Sequence, residues 1–366
     1  MATTSRRHAV EAALLQLVHL SPGPLPQLTS AEWAAVQQLA TRERVGPLAF
    51  RALERADAEV PDSVRSALRS SYEQAAAAAE TIYWQAADLQ RLLRGAGIRA
   101  PLFKGAALAR FTYGDEGLRP FSDIDLLTRR EDVAAVHRLL RRTGYAIVGD
   151  APTEADLTWR HGRAYYDPQA TRVPVDVHWR YLGYPLQVAL DYKRIFERVI
   201  EASVNGEPVT ILSPGDHLVA TGVAFLRELW YGKPRLRYLR DLAEIARRHS
   251  VDWSQVLLTA EETPLLRTPI RIALAAAVQV LGAPVPAALA AALRPPRGSA
   301  SGILLARTNR TLLRREHPAA AILQVGTMRW LDGGPAELID WLRSLLFIPA
   351  PLAGGRRRWL RHLWEG

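Results

Sequence analysis

The sequence of 366 residues contains no cysteine. Disulfide bonds, thiolate metal ligands and cysteine nucleophiles are therefore excluded, and a reducing, cytoplasmic location is expected. Long apolar runs are also missing, since no stretch reaches the roughly 18 uninterrupted apolar residues of a membrane span, and we expect no transmembrane segment. The sequence has no Ser-His-Asp elbow, no HExxH motif and no Walker or Rossmann phosphate loop, so the signatures of those enzyme classes are absent.

Lysine is scarce as well, because it occurs only as Lys104, Lys193 and Lys233, and the net charge of +10 comes from arginine. A basic balance favours anionic partners such as nucleotides, nucleic acid or lipid headgroups. A solvated basic surface without a dedicated partner explains the same charge, so both interpretations stay open. The 48% hydrophobic and 23% charged residues are those of a globular protein, and the length allows two or three domains.

Two carboxylates, Asp123 and Asp125, lie on a strand that we predict at residues 122–127. Because side chains alternate along a strand, the two carboxylates share one face, while Ile124 and Leu126 point into the core. Adjacent like charges cost free energy unless a cation lies between them, and Mg²⁺ is bound in proteins by carboxylates together with substrate phosphates. The spacing predicts a metal-nucleotide site, with a surface pair at a strand end as the alternative.

The turn Lys104-Gly105 follows an apolar strand predicted at residues 99–103. Glycine lets a backbone approach a phosphate closely, and lysine supplies a compact positive charge. We therefore expect Lys104 and Gly105 to contact a triphosphate, while an ordinary turn before a helix is the alternative. Arg119 and Ser122 flank the strand with the two aspartates and are further candidates for nucleotide binding.

A third carboxylate, Asp176, lies among valines in a strand predicted at residues 172–179, which could form a hairpin with residues 159–166. An unpaired charge there is expensive, so Asp176 either binds a metal or pairs with an arginine. His178 shares its face and either contacts substrate or has a structural role. Other acidic residues compete for the third position: Glu154 and Asp156, in a predicted polar loop, and Asp167, at a turn.

The turn Lys104-Gly105 followed by the motif SDIDLL at residues 122–127 resembles the uncharacterised nucleotidyltransferases of the polymerase-β-like superfamily. The resemblance is strongest over residues 98–130 and weaker around Asp176 and in two later segments. It implies Mg²⁺-dependent transfer of a nucleoside monophosphate from an NTP such as ATP to a hydroxyl, with release of pyrophosphate. It also implies that Asp123, Asp125 and Asp176 are catalytic and bind two magnesium ions.

The acceptor is not specified by this resemblance, and a small molecule, a peptide and tRNA are all compatible with it. A toxin-like enzyme that modifies tRNA is one alternative, which the basic surface permits. A non-catalytic module that binds nucleotide or nucleic acid is another, against which the three intact carboxylates argue.

The overall pattern predicts an α+β fold, with a small mixed β-sheet nucleotidyltransferase core flanked by helical regions. Ser30 is the expected N-cap of an early helix, and residues 209–212 are the last predicted strand. The basic, aromatic tail could contact an acidic surface weakly or pack on its own domain. We expect four segments: an N-terminal helical region at 1–97, the α/β core at 98–213, a C-terminal helical domain at 214–348, and a linker with the tail at 349–366.

Overall fold

A computed structural model describes residues 2–346 except 57, 184, 185, 187, 233, 234, 264, 297 and 314–317. The predicted linker and tail at 349–366 lie outside the described residues. The fold is α+β, as predicted, because a mixed sheet of seven described strands is flanked by helices on the N-terminal and C-terminal sides of the chain. Within these described ranges, every helix is too short or too polar to cross a membrane. The proposed domain boundaries stay a prediction.

Four helices precede the sheet: α1 Ala2–Val18, α2 Ser30–Arg42, α3 Gly46–Leu53 and α4 Asp62–Gly95. The N-cap of α2 is Thr29, not Ser30 as predicted. The Thr29 hydroxyl accepts from the Glu32 backbone N–H, and the Glu32 carboxylate accepts from the Thr29 N–H at 2.8 Å. The glutamate that completes this capping box lies three residues after Thr29, whereas Trp33 lies three residues after Ser30, so only Thr29 can form the reciprocal pair.

The seven strands follow the spatial order β3-β4-β5-β2-β1-β7-β6. The predicted hairpin of β4 with β5 is confirmed by their antiparallel pairing, whereas β2 and β5 run parallel. The strand β6 was not predicted; it pairs with β7 through a turn at Asn205-Gly206, where both residues have positive φ. The strands are β1 Leu102–Phe103, β2 Ile124–Leu127, β3 Ala146–Ile147, β4 Gly162–Tyr166, β5 Val175–His178, β6 Ile200–Val204 and β7 Glu207–Ile211.

Short helices connect these strands: α5 Lys104–Leu108, α6 Val133–Arg142, α7 Glu154–Trp159 and α8 Tyr192–Glu197. A π-helical turn, Ala109–Tyr113, continues α5. The predicted polar loop around Glu154 is wrong, since α7 begins there with a capping box between Thr153 and Asp156. Asp156 also forms an ion pair with Arg163 at 2.8 Å, so its carboxylate is used within the fold.

The helices after the sheet are α9 Pro214–Trp230, α10 Leu236–Arg248, α11 Trp253–Glu262, α12 Arg267–Leu281, α13 Ala287–Ala292, α14 Ala300–Thr311 and α15 Pro318–Leu346. The last of these bends at Gly334, which has a φ of 72° and precedes Pro335. Helices α9 and α12 are largely buried and form the centre of this region.

The two faces of the sheet meet different surroundings. Ile124 and Val175 lie in a core cluster with one face of α4, as the strand alternation predicts. Phe103 and Leu127 lie in the larger cluster that includes the helices before and after the sheet. The residues of β2 and β5 that alternate with Ile124 and Val175 therefore point toward the helices before and after the sheet. The candidate site lies on this face of the sheet.

Candidate active site

Strand register brings the predicted acidic residues together. In the parallel pair β2 and β5, Asp125 is opposite Asp176, and Leu127 is opposite His178. Ligand atoms of Asp125, Asp176 and His178 all lie within 4.8 Å of one another. Asp123, Asp125 and Asp176 line a common cleft of about 230 Å³. Carboxylates that lie 51 to 53 residues apart in sequence thus share one small site.

Asp125 is held by two neighbouring side chains. The Lys104 ammonium donates to Asp125 Oδ1 at 2.7 Å, and His178 Nε2 lies 2.9 Å from the same oxygen. Lys104 and the hydrogen bond from His178 hold the pKa of Asp125 well below its ordinary value, despite burial. Burial and the charge of Lys104 lower the pKa of His178 to about 4, so the imidazole is neutral near pH 7 and donates from Nε2.

The carboxylates of Asp123 and Asp176 have no side-chain partners of this kind. The carboxylates of Asp123 and Asp176 form no hydrogen bond or ion pair with another residue in the described part of the chain. Burial, followed by repulsion from Asp125 and Asp123, raises the pKa of Asp176 to about 6. Burial and the charge of Asp125 also raise the pKa of Asp123. Lys104 and nearby arginines offset these pKa shifts only in part, so both carboxylates keep a raised pKa without a direct partner.

A divalent cation fits this donor set. Carboxylate oxygens are the ligands that Mg²⁺ prefers, and a cation would relieve the repulsion that raises the pKa values of Asp123 and Asp176. His178 Nε2 is engaged with Asp125, and its Nδ1 is buried without a hydrogen bond. Asp125 and Asp176 thus offer carboxylate oxygens to a cation at this cluster, while Asp123 lines the same cleft without belonging to the group whose ligand atoms lie within 4.8 Å of one another.

The Lys104-Gly105 turn borders the same cleft. Lys104 has a φ of 52°, a left-handed conformation that is costly for a residue with a side chain, and it directs the ammonium to Asp125. At Gly105, a Cβ atom would lie only 2.6 Å from the Cβ of Phe121. Close packing against Phe121 therefore requires glycine at this position, whether or not a phosphate binds there.

Arg119 and Ser122, the two candidates that flank the aspartates, lie in different surroundings. Arg119 lies at the cleft, but its guanidinium forms two hydrogen bonds with the buried carboxylate of Asp241, at 2.8 and 3.2 Å. Tyr113 donates to the same carboxylate at 2.9 Å. Arg119 thereby joins the segment before β2 to helix α10. Ser122 is exposed to solvent and lies outside the set of described residues that line the cleft.

One side of the cleft was not predicted from the sequence. It is formed by arginines from the turn before α3, from α9 and from the start of α10. The arginines of the α10 segment were visible as a basic stretch, but no local pattern relates them to residues near position 44. We call this set the arginine wall, and it consists of Arg44, Arg227, Arg235 and Arg237. Glu228, Phe121 and Tyr238 complete the lining on this side.

A mixed sheet that presents converging carboxylates beside a basic turn defines a nucleotidyltransferase type of site. The family model described as "Uncharacterised nucleotidyltransferase" matches residues 29–282, which is more than two thirds of the chain. The protein therefore belongs to this family of uncharacterised nucleotidyltransferases, and the predicted resemblance is confirmed.

No curated protein matches the chain. Among solved structures, the chain is similar to an antigenic nucleotidyltransferase-like protein from Paracoccidioides brasiliensis, with 19% identity and a TM-score of 0.38. The match covers 56% of this chain and 94% of that protein. A likeness this distant supports no conclusion about substrate or mechanism.

Proposed function

We propose that the protein transfers a nucleoside monophosphate from a magnesium-bound NTP, such as ATP, to a hydroxyl of an acceptor and releases pyrophosphate. The observation that carries this proposal is the convergence of three carboxylates on one cleft, two of which have no partner in the described part of the chain. Membership of the nucleotidyltransferase family supports the reaction class. The acceptor, whether small molecule, peptide or tRNA, is left open by the site.

Asp123, Asp125 and Asp176 would hold the metal, with two ions as the expected number. Bound magnesium supplies charge neutralisation at the transferred phosphoryl group and favours ionisation of the attacking hydroxyl. Asp176 is the residue suited to accept a proton from the attacking hydroxyl, because its carboxylate has no hydrogen-bond or ion-pair partner in the described part of the chain. Lys104 orients Asp125, and together with Gly105 it borders the space that a triphosphate would occupy.

The proposal is tested by incubating the protein with labelled NTPs and a cell extract, followed by isolation of the labelled product. Asp123→Asn should lower the rate of labelling by about a thousandfold, which corresponds to about 4 kcal/mol in the barrier. Asp88→Asn is the matched control, because this exposed aspartate lies on α4 away from the cleft. Full labelling by the Asp123→Asn protein would refute the assignment.

The labelling experiment, together with calorimetry, distinguishes the proposed enzyme from a toxin-like tRNA-modifying enzyme and from a non-catalytic binding module. Label recovered in tRNA would support the toxin-like enzyme. Calorimetric binding of Mg-ATP without pyrophosphate release, in any extract, would instead support a non-catalytic module. The three carboxylates on one cleft favour catalysis over simple binding, because acidic residues with raised pKa values in a cleft are typical of catalytic sites.

A further inference from the structure

The arginine wall carries more positive charge than its neighbours compensate. Glu228 pairs with Arg227 at 3.2 Å and with Arg235 at 3.3 Å, so one carboxylate serves two guanidinium groups. Arg44 and Arg237 form no ion pair with any residue that the structure describes. Two full positive charges on this side of the cleft are therefore available to a ligand.

The fold holds Arg44 at the wall against the preferences of its own backbone. Arg44 has a φ of 57°, in the left-handed region that favours glycine. The adjacent Glu43 accepts a hydrogen bond from the backbone N–H of Leu236 at 3.1 Å, and this contact docks the turn on the start of α10. Burial, together with the charges of Arg237 and Arg235, lowers the pKa of Arg44. Like charges are thus brought together by specific contacts.

The start of α10 adds to this positive potential. The helix has thirteen residues and no acidic residue in its first turn, and Glu43 from outside the helix accepts from only one of its N-terminal N–H groups, that of Leu236. Its macrodipole therefore places partial positive charge beside Arg235 and Arg237. Arg237 Nε is buried and has no hydrogen-bond partner in the described part of the chain. Several guanidinium groups on one cleft and a buried N–H without a partner together favour the binding of an anion.

We propose that the arginine wall is a phosphate subsite, which binds a phosphate group of a substrate in the cleft that the three carboxylates also line. Phosphate is the anion class that fits best, because it offers several oxygens and a double charge to more than one planar guanidinium. Naming this anion as part of a substrate rests on the proposed function. The phosphate comes either from the β- and γ-positions of the NTP or from a phosphorylated acceptor.

Two variants test the subsite without disturbing the carboxylates. Arg44→Gly removes one guanidinium, and glycine suits the positive φ, so the fold should be retained. Arg237→Gln removes the other unpaired charge. Arg138→Gln is the control, because Arg138 is exposed on α6 and does not line the cleft. Calorimetry with sodium pyrophosphate in the absence of magnesium should show binding that weakens at least tenfold in each wall variant and stays unchanged in the control.

The source of the phosphate is resolved by two further titrations. If the wall binds the NTP, both wall variants should weaken Mg-ATP binding and leave adenosine binding unchanged. If it binds the acceptor, Mg-ATP affinity should persist, while binding of inorganic phosphate to the ATP-saturated protein is lost. Folded variants with unchanged affinity for pyrophosphate and for phosphate would overturn the proposal, as would a wild-type protein that binds neither. These measurements need no turnover, so they remain decisive if the labelling experiment fails.

Discussion

Asp176→Asn should stabilise the metal-free protein at neutral and alkaline pH. Burial and the two neighbouring aspartates raise the pKa of Asp176 from 3.8 to about 6. At 1.36 kcal/mol per pKa unit, ionised Asp176 destabilises the folded state by at most about 3 kcal/mol. Asparagine has nearly the same shape and no charge, so the substitution removes this penalty.

The sign of the effect follows from the two protonation equilibria. Below pH 3.8 the carboxyl is protonated in both the folded and the unfolded state, and it contributes no difference. Between pH 3.8 and about 6 the unfolded state ionises first, so the wild-type protein loses stability as the pH rises. The stabilising effect of Asp176→Asn should therefore be absent near pH 3.5 and complete above pH 7.

Denaturant unfolding in the presence of EDTA, at pH 8 and near pH 3.5, measures this difference, with Asp88→Asn as the control. Adding Mg²⁺ at pH 8 should make the wild-type protein more stable than Asp176→Asn. A ligand that binds only the folded wild-type protein stabilises it in proportion to ln(1 + [L]/Kd). A metal-free Asp176→Asn protein that is less stable than wild type at pH 8 would refute the view that this carboxylate lacks a partner.

Five further substitutions test three contacts. Lys104→Met should lower the free energy of unfolding by about 3 kcal/mol, because the buried Asp125 carboxylate loses its lysine partner. Lys104→Gly should lower it by about 1 kcal/mol less, because glycine adopts the positive φ without strain. Equal losses for the two variants, measured by urea unfolding, would argue against backbone strain at this position. Asp241→Asn should cost about 3 to 5 kcal/mol by leaving Arg119 buried without a carboxylate, and a thermal midpoint unchanged from wild type would contradict this. Thr29→Ala should lower the free energy of unfolding by about 1 kcal/mol, and Ser30→Ala should lower it by less than about 0.5 kcal/mol, in the same urea assay. A larger loss for Ser30→Ala than for Thr29→Ala would indicate that Ser30 is the N-cap.

Much of the local structure could be predicted from the sequence. Alternation along the strands separates Asp125 from its apolar neighbours and Asp176 from the adjacent valines, and the structure has the same alternation. Strand β6 was missed although its sequence IEASV alternates apolar and polar residues; it is a short strand at the edge of the sheet, and most of its residues are exposed. The pair Asn205-Gly206 was the sequence feature that could have revealed this hairpin.

What the sequence determined by itself is the set of acidic residues and the face of the strand on which each lies, because side-chain alternation depends only on neighbouring residues. Only the tertiary structure decided that β2 and β5 pair in parallel with Asp125 opposite Asp176. The same is true of the pairing of Arg119 with Asp241 and of the position of Arg44 beside α10. Such contacts join segments far apart in the chain, and their geometry is set by packing of the whole core rather than by any local pattern.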